Sequence, residues 1–472
     1  MDTQKMDKRT ADLGTAPIGP LLLRLSIPSM ISMVVMSVYN IVDTMWVSGL
    51  PNGTEAIAAL TVLMPVQMIA AAIGMGTSAG VTSLVSRRFG EGKLDEVNHI
   101  AGNAITLPIL LGIVTGSVCV VFGKPITLAF GGAPELVAPA VSYLSIVAWG
   151  FPCQIFSGTV DGLLRGAGNT KTPMYIRATA ALLNATLDPF LIYGWGPFPM
   201  LGLRGAAMAT LIAQVLASGL SAGYLLSSRS SYRIPASALW LKLSILRDIA
   251  HVGFPSFLNG CVRSTVGSAF NWVLAGFGPA AIAAHGLSMR VMMLMLAFMG
   301  PGVSQALVPI VGYNFGAKDY RRMWRAWLTA SGWLSGIGIV LSSCIIIFAS
   351  NIMAPLAREP ELLRLAVWAV RLKVCTIFLV EPQMMGVFTF QGMGMGFHAL
   401  ALTMTRSVVF VVPILLVLAH AFGVHGAFAA QPVADVLGLL VAGAMLWRAY
   451  RQYPVSASAS ALGASRQKIG PK

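Results

Sequence analysis

The sequence predicts an all-α polytopic membrane protein, with twelve transmembrane helices in two pseudo-symmetric six-helix lobes. Three observations carry this prediction. Of 472 residues, 56% are hydrophobic and only 10% are charged, and the mean hydropathy is +0.75, whereas a soluble domain is about one-quarter charged. Breaks of charge, Gly and Pro cut the chain into twelve apolar runs, each long enough for the ~20 residues a span needs. The second half of the chain also repeats the first.

The runs are 21–48, 57–85, 98–122, 137–163, 173–195, 205–228, 248–277, 281–313, 325–350, 362–390, 398–421 and 426–449. Several exceed one straight span, so tilt or kinks are expected, and the 26 Pro and 49 Gly fit kinked, closely packed helices. Charge orients the spans. With a cytoplasmic N-terminus, 24 of the 32 Lys and Arg fall in cytoplasmic segments. Six fall outside (Lys124, Arg204, Arg358, Arg364, Arg371 and Lys373), and Arg263 and Arg290 remain within spans. This follows the positive-inside rule and accounts for the net charge of +15 without nucleic acid. The loops also lack the aromatic interleaving of a nucleic-acid surface.

Residues 1–20 are polar and lack a signal peptide's apolar region and cleavage site. The first helix is therefore expected to be an uncleaved anchor in the cell (inner) membrane, with both termini cytoplasmic. The organisation reads as an N-terminal tail 1–20, an N-lobe 21–228, a cytoplasmic linker 229–247, a C-lobe 248–449 and a cytoplasmic tail 450–472. The five cysteines sit apart in apolar stretches and read as small buried hydrophobes. The six histidines show no metal-ligand spacing.

The repeat has an offset near 226. LSIPSM (25–30) matches VGFPSF (252–257), and LRGAGNT (164–170) matches FQGMGMG (390–396). RGAAMA (204–209) matches HGAFAA (425–430). Six spans per unit bring both halves in from the same side, as in transporters that rock two bundles about a midplane site. The halves differ chemically: Asp43 falls opposite Phe270, and Asp188 opposite Val412.

Acidic residues inside spans are few: Asp43, Asp188, Glu381 and Asp435, with Asp161 near an inner end. An intramembrane carboxylate is a functional-site hypothesis by default. At ~1.5 Å per residue, Asp43 lies in the outer part of the first span. Asn184 and Asp188, four residues apart and so on one face, lie in the outer half of the fifth, and Thr210 in the outer half of the sixth. Two close carboxylates in a dry site hold a proton or are neutralised by a cation. Pro189 also frees the carbonyl of Ala185.

These residues identify a resemblance. SIPSM (26–30), VDTMWVSG (42–49), LLRGAGNT (163–170), NATLDPF (184–190) and GAAMAT (205–210), in this order over a duplicated twelve-span chain, resemble the MATE (multidrug and toxic compound extrusion) transporters, most closely the DinF-like branch. The resemblance covers residues 20–450. It implies two six-helix lobes around a V-shaped cleft. It also implies efflux of organic, often cationic drugs, driven by inward Na+ or H+, by a protein that is not an enzyme and has no cofactor. In DinF-like members the equivalents of Asp43, Asn184, Asp188 and Thr210 form an N-lobe cation site, so these four are the expected coupling or substrate residues and the expected Na+ ligands. The loop acid common in the family is Asn169 here, which leaves that loop a packing role.

Secondary candidates are Tyr39, Asn40 and Gln67, which can face the N-lobe interior, and Arg263 and Glu381, expected to pair because an unpaired buried charge is costly. Asp435 reads as structural, and the Met-rich stretches 289–299 and 383–395 as packing. The partners expected are small-molecule drugs and the lipid bilayer, with no nucleic acid, and the protein is expected to be a monomer. The competing function is a lipid-linked saccharide flippase of related architecture, which favours a strongly cationic cavity. No HExxH, GxSxG or paired His/Asp arrangement on a span suggests an enzyme.

Overall fold

A computed structural model describes residues 7–456, apart from 52, 131–133, 300 and 358 and some side chains within 261–268 and 296–301. Among the described residues every regular element is a helix, as backbone groups in hydrocarbon require. In order these are α1 (Lys8–Thr15), α2 (Ile18–Ser48), α3 (Gly53–Gly90), α4 (Leu94–Val121), α5 (Gly123–Ala129), α6 (Pro134–Ala148), α7 (Phe151–Gly166), α8 (Lys171–Tyr193) and α9 (Leu203–Leu226). They continue with α10 (Leu243–Ala275), α11 (Pro279–Met299), α12 (Pro301–Gly316), α13 (Tyr320–Ile347), α14 (Ala349–Met353), α15 (Pro360–Val374), α16 (Ile377–Gly392), α17 (Gly396–Met404) and α18 (Val411–Gln452).

All twelve apolar runs fall on these helices. Among the described residues six helices are long and apolar enough to cross a membrane by themselves, and α6 with α7, bent by 50°, pass the same test together. The last of the six, 396–452, carries two runs: Gly423 breaks α18, with a π-helical turn at Thr405–Phe410 ahead of it. The remaining runs lie on α8, α10, α11–α12 and α15–α16. Their charges explain part of the difference: α8 holds Lys171, Arg177 and Asp188, and α15 holds Arg364, Arg371 and Lys373.

The chain forms two compact units, Met1–Ala11 with Ile27–Gly253 and Asp12–Ser26 with Phe254–Lys472. This division differs from the lobes drawn on the sequence at both edges. Asp12–Ser26 packs with the second unit, where the Leu13 carbonyl accepts hydrogen bonds from Asn314 Nδ2 (3.0 Å) and the Arg322 guanidinium (3.3 Å). The linker 229–247 packs on α4 in the first unit. There Asn103 Nδ2 donates to the Ala238 and Trp240 carbonyls, and its Oδ1 accepts from the Lys242 N–H.

Within each unit, small residues let backbones approach. In the first, α3 meets α7 through a Thr77–Thr159 hydroxyl pair (2.8 Å) and Thr82 Oγ1 donating to the Gly162 carbonyl (2.8 Å). In the second, Ser342 Oγ of α13 donates to the Val374 carbonyl (2.7 Å).

The duplication survives in the backbone. Gly202, entering α9, has φ 56° and ψ −131°; Gly423, inside α18, has φ 62° and ψ −146°. This region is open essentially to glycine alone. Three residues on, a Cβ at Gly205 would collide with the Leu191 carbonyl and one at Gly426 with the Leu418 carbonyl. Each half thus turns and packs its sixth span on its fifth in the same way. Gly205→Val should cost about 1–3 kcal/mol by overpacking, read as a lower melting temperature in detergent. An unchanged melting temperature would show that the α8–α9 contact is looser than described.

Candidate functional site

The first unit gathers polar groups from five helices. The face of α2 carries Tyr39 and Asp43, one turn apart, while Gln67 comes from α3, Tyr143 from α6, Asn184 and Asp188 from α8, and Thr210 from α9. Asn184 and Asp188 are buried, at 1% and 0% exposure; Tyr39, Asp43, Gln67 and Thr210 are half-buried. The Thr210 side chain acts on both the Tyr39 and Tyr143 phenols, and Gln67 acts on Tyr143. Asp43 and Asp188 are close enough to feel each other's charge, and both act on Tyr39.

Asp43, Asp188 and Thr210 each act on Tyr39, and Gln67 joins them through Tyr143. Asn40 is exposed. Tyr143 was not singled out from the sequence, because a tyrosine among apolar neighbours leaves no mark in periodicity. The depth rule would have reached it: the fourth span descends from the outer side, and Tyr143 lies six residues inside its start at 137.

An aromatic cluster positions these helices. Tyr193 Oη donates to the Trp46 carbonyl at 2.5 Å, tying α8 to α2 just beyond Asp43. The Trp46 ring meets Tyr193 and Trp195 edge-on, with centroids about 6 Å apart.

Among the described residues no hydrogen-bond partner reaches Asp43 Oδ1, either side-chain polar atom of Asn184, or either carboxylate oxygen of Asp188. Buried polar atoms are normally paired. Carboxylate and amide oxygens without a protein donor suit a hard cation, and two carboxylates that feel each other's charge suit a shared proton.

Elsewhere, buried acids have partners. Asp161 pairs with Arg177. In the second unit Asp435 accepts from Arg406 Nη2 (2.8 Å), Arg406 Nε (2.9 Å) and Thr376 Oγ1 (2.7 Å), consistent with the structural role read for it. Glu381 is buried in α16 and interacts with the Arg406 charge; the Arg263 side chain, its expected partner, lies outside the described residues. Asn169, just ahead of α8, accepts at Oδ1 from the Thr172 N–H (3.2 Å).

One assignment needs correcting. Lys373 was counted among the outer positive charges, but it is 1% exposed inside the tenth span. Its Nζ lies 3.0 Å from His285 Nδ1 and 2.8 Å from Ser288 Oγ. Loop counting treats every Lys near a predicted span end as solvated. Here α15 runs on to Val374 and packs against α11, which buries it.

Comparison with known proteins adds a family. The MatE family model matches this chain twice, at residues 28–190 and 255–417, a shift of 227. The chain is 27% identical over 431 residues to the FAD transporter of Shewanella oneidensis, covering 90% of this chain and 93% of that one. It is 23% identical over 431 residues to the multidrug export protein MepA of Staphylococcus aureus, with the same coverage. Among solved structures, a MATE protein in complex with MaD5 matches with a TM-score of 0.85 at 27% identity, over 97% of this chain and 100% of that one.

If the orphaned oxygens bind a cation, that cation stabilises the folded protein as RT ln(1 + [L]/Kd), about 2.7 kcal/mol at a hundredfold excess over Kd. The melting temperature of the purified protein should therefore shift with Na+ against a K+ control, or with pH, and the shift should vanish in an Asp43→Asn, Asp188→Asn double variant. A shift of equal size in that variant would place the cation elsewhere.

Proposed function

This chain belongs to the MatE family of membrane transporters, and we propose that it is a secondary active efflux transporter exchanging organic, often cationic, compounds for inward Na+ or H+ by alternating access. One observation carries this reading: Asp43 and Asp188 feel each other's charge within spans, with oxygens that no donor among the described residues satisfies. Structural acids such as Asp161 and Asp435 hold arginines instead. In the proposed site Asp43, Asn184, Asp188 and Thr210 hold the driving cation, and Tyr39, Gln67 and Tyr143 position them. The protein acts as a monomer in the inner membrane with both termini cytoplasmic, as its charge asymmetry supports.

Coupling follows from electrostatics. A proton or Na+ at this cluster removes negative charge, and a cationic substrate loses its attraction there. A ligand shifts an equilibrium only by its differential affinity for the two states. If cation binding weakens the substrate about tenfold, about 1.4 kcal/mol, the substrate must weaken the cation by the same factor.

The relative named as an FAD transporter supports a second substrate class, so a flavin nucleotide belongs beside cationic dyes in any assay. A saccharide flippase is less favoured, because the acidic cluster repels a lipid-linked pyrophosphate.

In proteoliposomes with Na+ and pH gradients varied separately, wild-type protein should move a cationic dye with one of them. Asp43→Asn should abolish that movement while inserting and folding normally, and Asn184→Ala should be milder than Asp188→Asn. Wild-type-like efflux from a well-folded Asp43→Asn protein would overturn the assignment. In detergent, dye affinity should fall as the coupling cation rises; affinity independent of both pH and Na+ would exclude direct competition at this cluster.

A further inference from the structure

The second unit holds a titratable cluster that the proposed cation site does not use. Lys373 of α15 is 1% exposed, and His285 of α11 is 4% exposed. Lys373 Nζ lies 3.0 Å from His285 Nδ1, 2.8 Å from Ser288 Oγ and 5.9 Å from the centre of the Phe270 ring, on which His285 stacks at 4.9 Å. Among the described residues no carboxylate lies within ion-pair distance of Lys373. A lysine inside a membrane span without a counter-ion is costly and marks function by default.

The position has a counterpart in the duplication. The cluster of the first unit joins span 1 (Tyr39, Asp43), span 2 (Gln67) and span 4 (Tyr143). The second joins span 7 (Phe270), span 8 (His285, Ser288) and span 10 (Lys373). Phe270 is the repeat partner of Asp43, at the shift of 227. The equivalent of Tyr143 is Val370, one turn from Lys373. The same three spans of each repeat thus carry a polar cluster, half-buried and acidic in one half, buried and basic in the other.

Hydrogen-bond accounting shows what this second cluster can do. The Ser288 hydroxyl donates its proton to the His285 carbonyl at 2.7 Å, so towards Lys373 it can only accept. An ammonium at Lys373 donates to Ser288 Oγ and to an unprotonated His285 Nδ1, with its third N–H towards the Phe270 ring. A neutral amine at Lys373 still donates to Ser288 Oγ, and its lone pair accepts from a protonated Nδ1. Both states leave the lysine and Nδ1 fully bonded.

We propose that Lys373, His285 and Ser288 form a second proton-exchange site, in which one proton is carried jointly by Lys373 and His285. On release, the proton on His285 Nε2 passes to water, and Lys373 Nζ gives a proton to His285 Nδ1. The lysine becomes neutral and the histidine changes tautomer. Uptake reverses both transfers, and the net exchange is one proton with water.

The other groups around α15 are already engaged. From α13, Ser342 bonds the Val374 carbonyl. From α18, Asp435 is held by Arg406 and Thr376, and His425 packs on Trp368. The helix α14 brings no titratable side chain, and Arg371 of α15 itself donates to the Ile346 carbonyl. His285 is therefore the titratable partner facing Lys373 among the described residues.

The consequence for transport rests on the cation-coupled reading above; the site itself does not. The test uses purified full-length protein in lipid nanodiscs, with lysine labelled at Cε and Nζ and histidine at its ring nitrogens, followed by NMR across about pH 5–10. One lysine signal, absent from Lys373→Arg, should titrate with the same midpoint as a tautomer change absent from His285→Gln. A Lys373 that stays charged throughout, with no change at His285, would overturn the proposal.

Efflux gives the second reading. Lys373→Arg keeps a cation that does not deprotonate. It should yield folded protein whose efflux no longer varies with pH as the wild type does; a wild-type pH profile in this variant would overturn the role in coupling. Wild-type protein that moves no dye at all would sink the transport reading, and the spectra would still decide this one.

Discussion

Hydrocarbon offers no hydrogen bonds, and most of this molecule follows from that constraint. Each backbone N–H and C=O in a span must be satisfied within its own helix, so every regular element among the described residues is helical. The same constraint sorts the side chains. Hydroxyls inside spans donate to carbonyls of their own helix or a neighbour, as Thr77, Thr82 and Ser342 do. Buried acids find arginines, as Asp161 and Asp435 do. Against that background Asp43 and Asp188 differ from the arginine-paired acids, because among the described residues no donor reaches Asp43 Oδ1 or either carboxylate oxygen of Asp188.

The two halves have kept their backbone and exchanged their chemistry. Gly202 and Gly423 share a conformation that a side chain resists, and Gly205 and Gly426 press on equivalent carbonyls. The electrostatics diverged around this frame. Where span 1 carries Asp43, span 7 carries Phe270; where span 4 brings Tyr143, span 10 has Val370, with Lys373 one turn on. A repeat constrains geometry because packing fails if a glycine is lost. It does not constrain charge, because a buried polar cluster needs only internally matched partners.

The two kinds of cluster also suit different work. The arginine-paired acids are charge-balanced within the protein and hold elements in register. Among the described residues the Asp43–Asp188 pair and the Lys373–His285 pair have no salt-bridge partner, which is why a mobile cation or proton is proposed to change their state.

Much of this was legible in the sequence. Composition, the twelve apolar runs and the asymmetry of basic residues follow from the bilayer's demands on every span, and these act locally. The repeat was visible because glycine and proline positions are fixed by backbone geometry. Depth along a helix follows from its rise, so Asp43, Asp188 and Thr210 could be set at one level before any contact was known. Other features needed the folded chain. Tyr143 joins the cluster only because α6 packs beside α3 and α9, and Asp12–Ser26 belongs with the second unit only because Asn314 and Arg322 hold Leu13. Lys373 reads as an outer-loop charge until α11 and α15 are brought together, since burial, and the partners a buried charge finds, are properties of how helices pack and not of the order of residues along them.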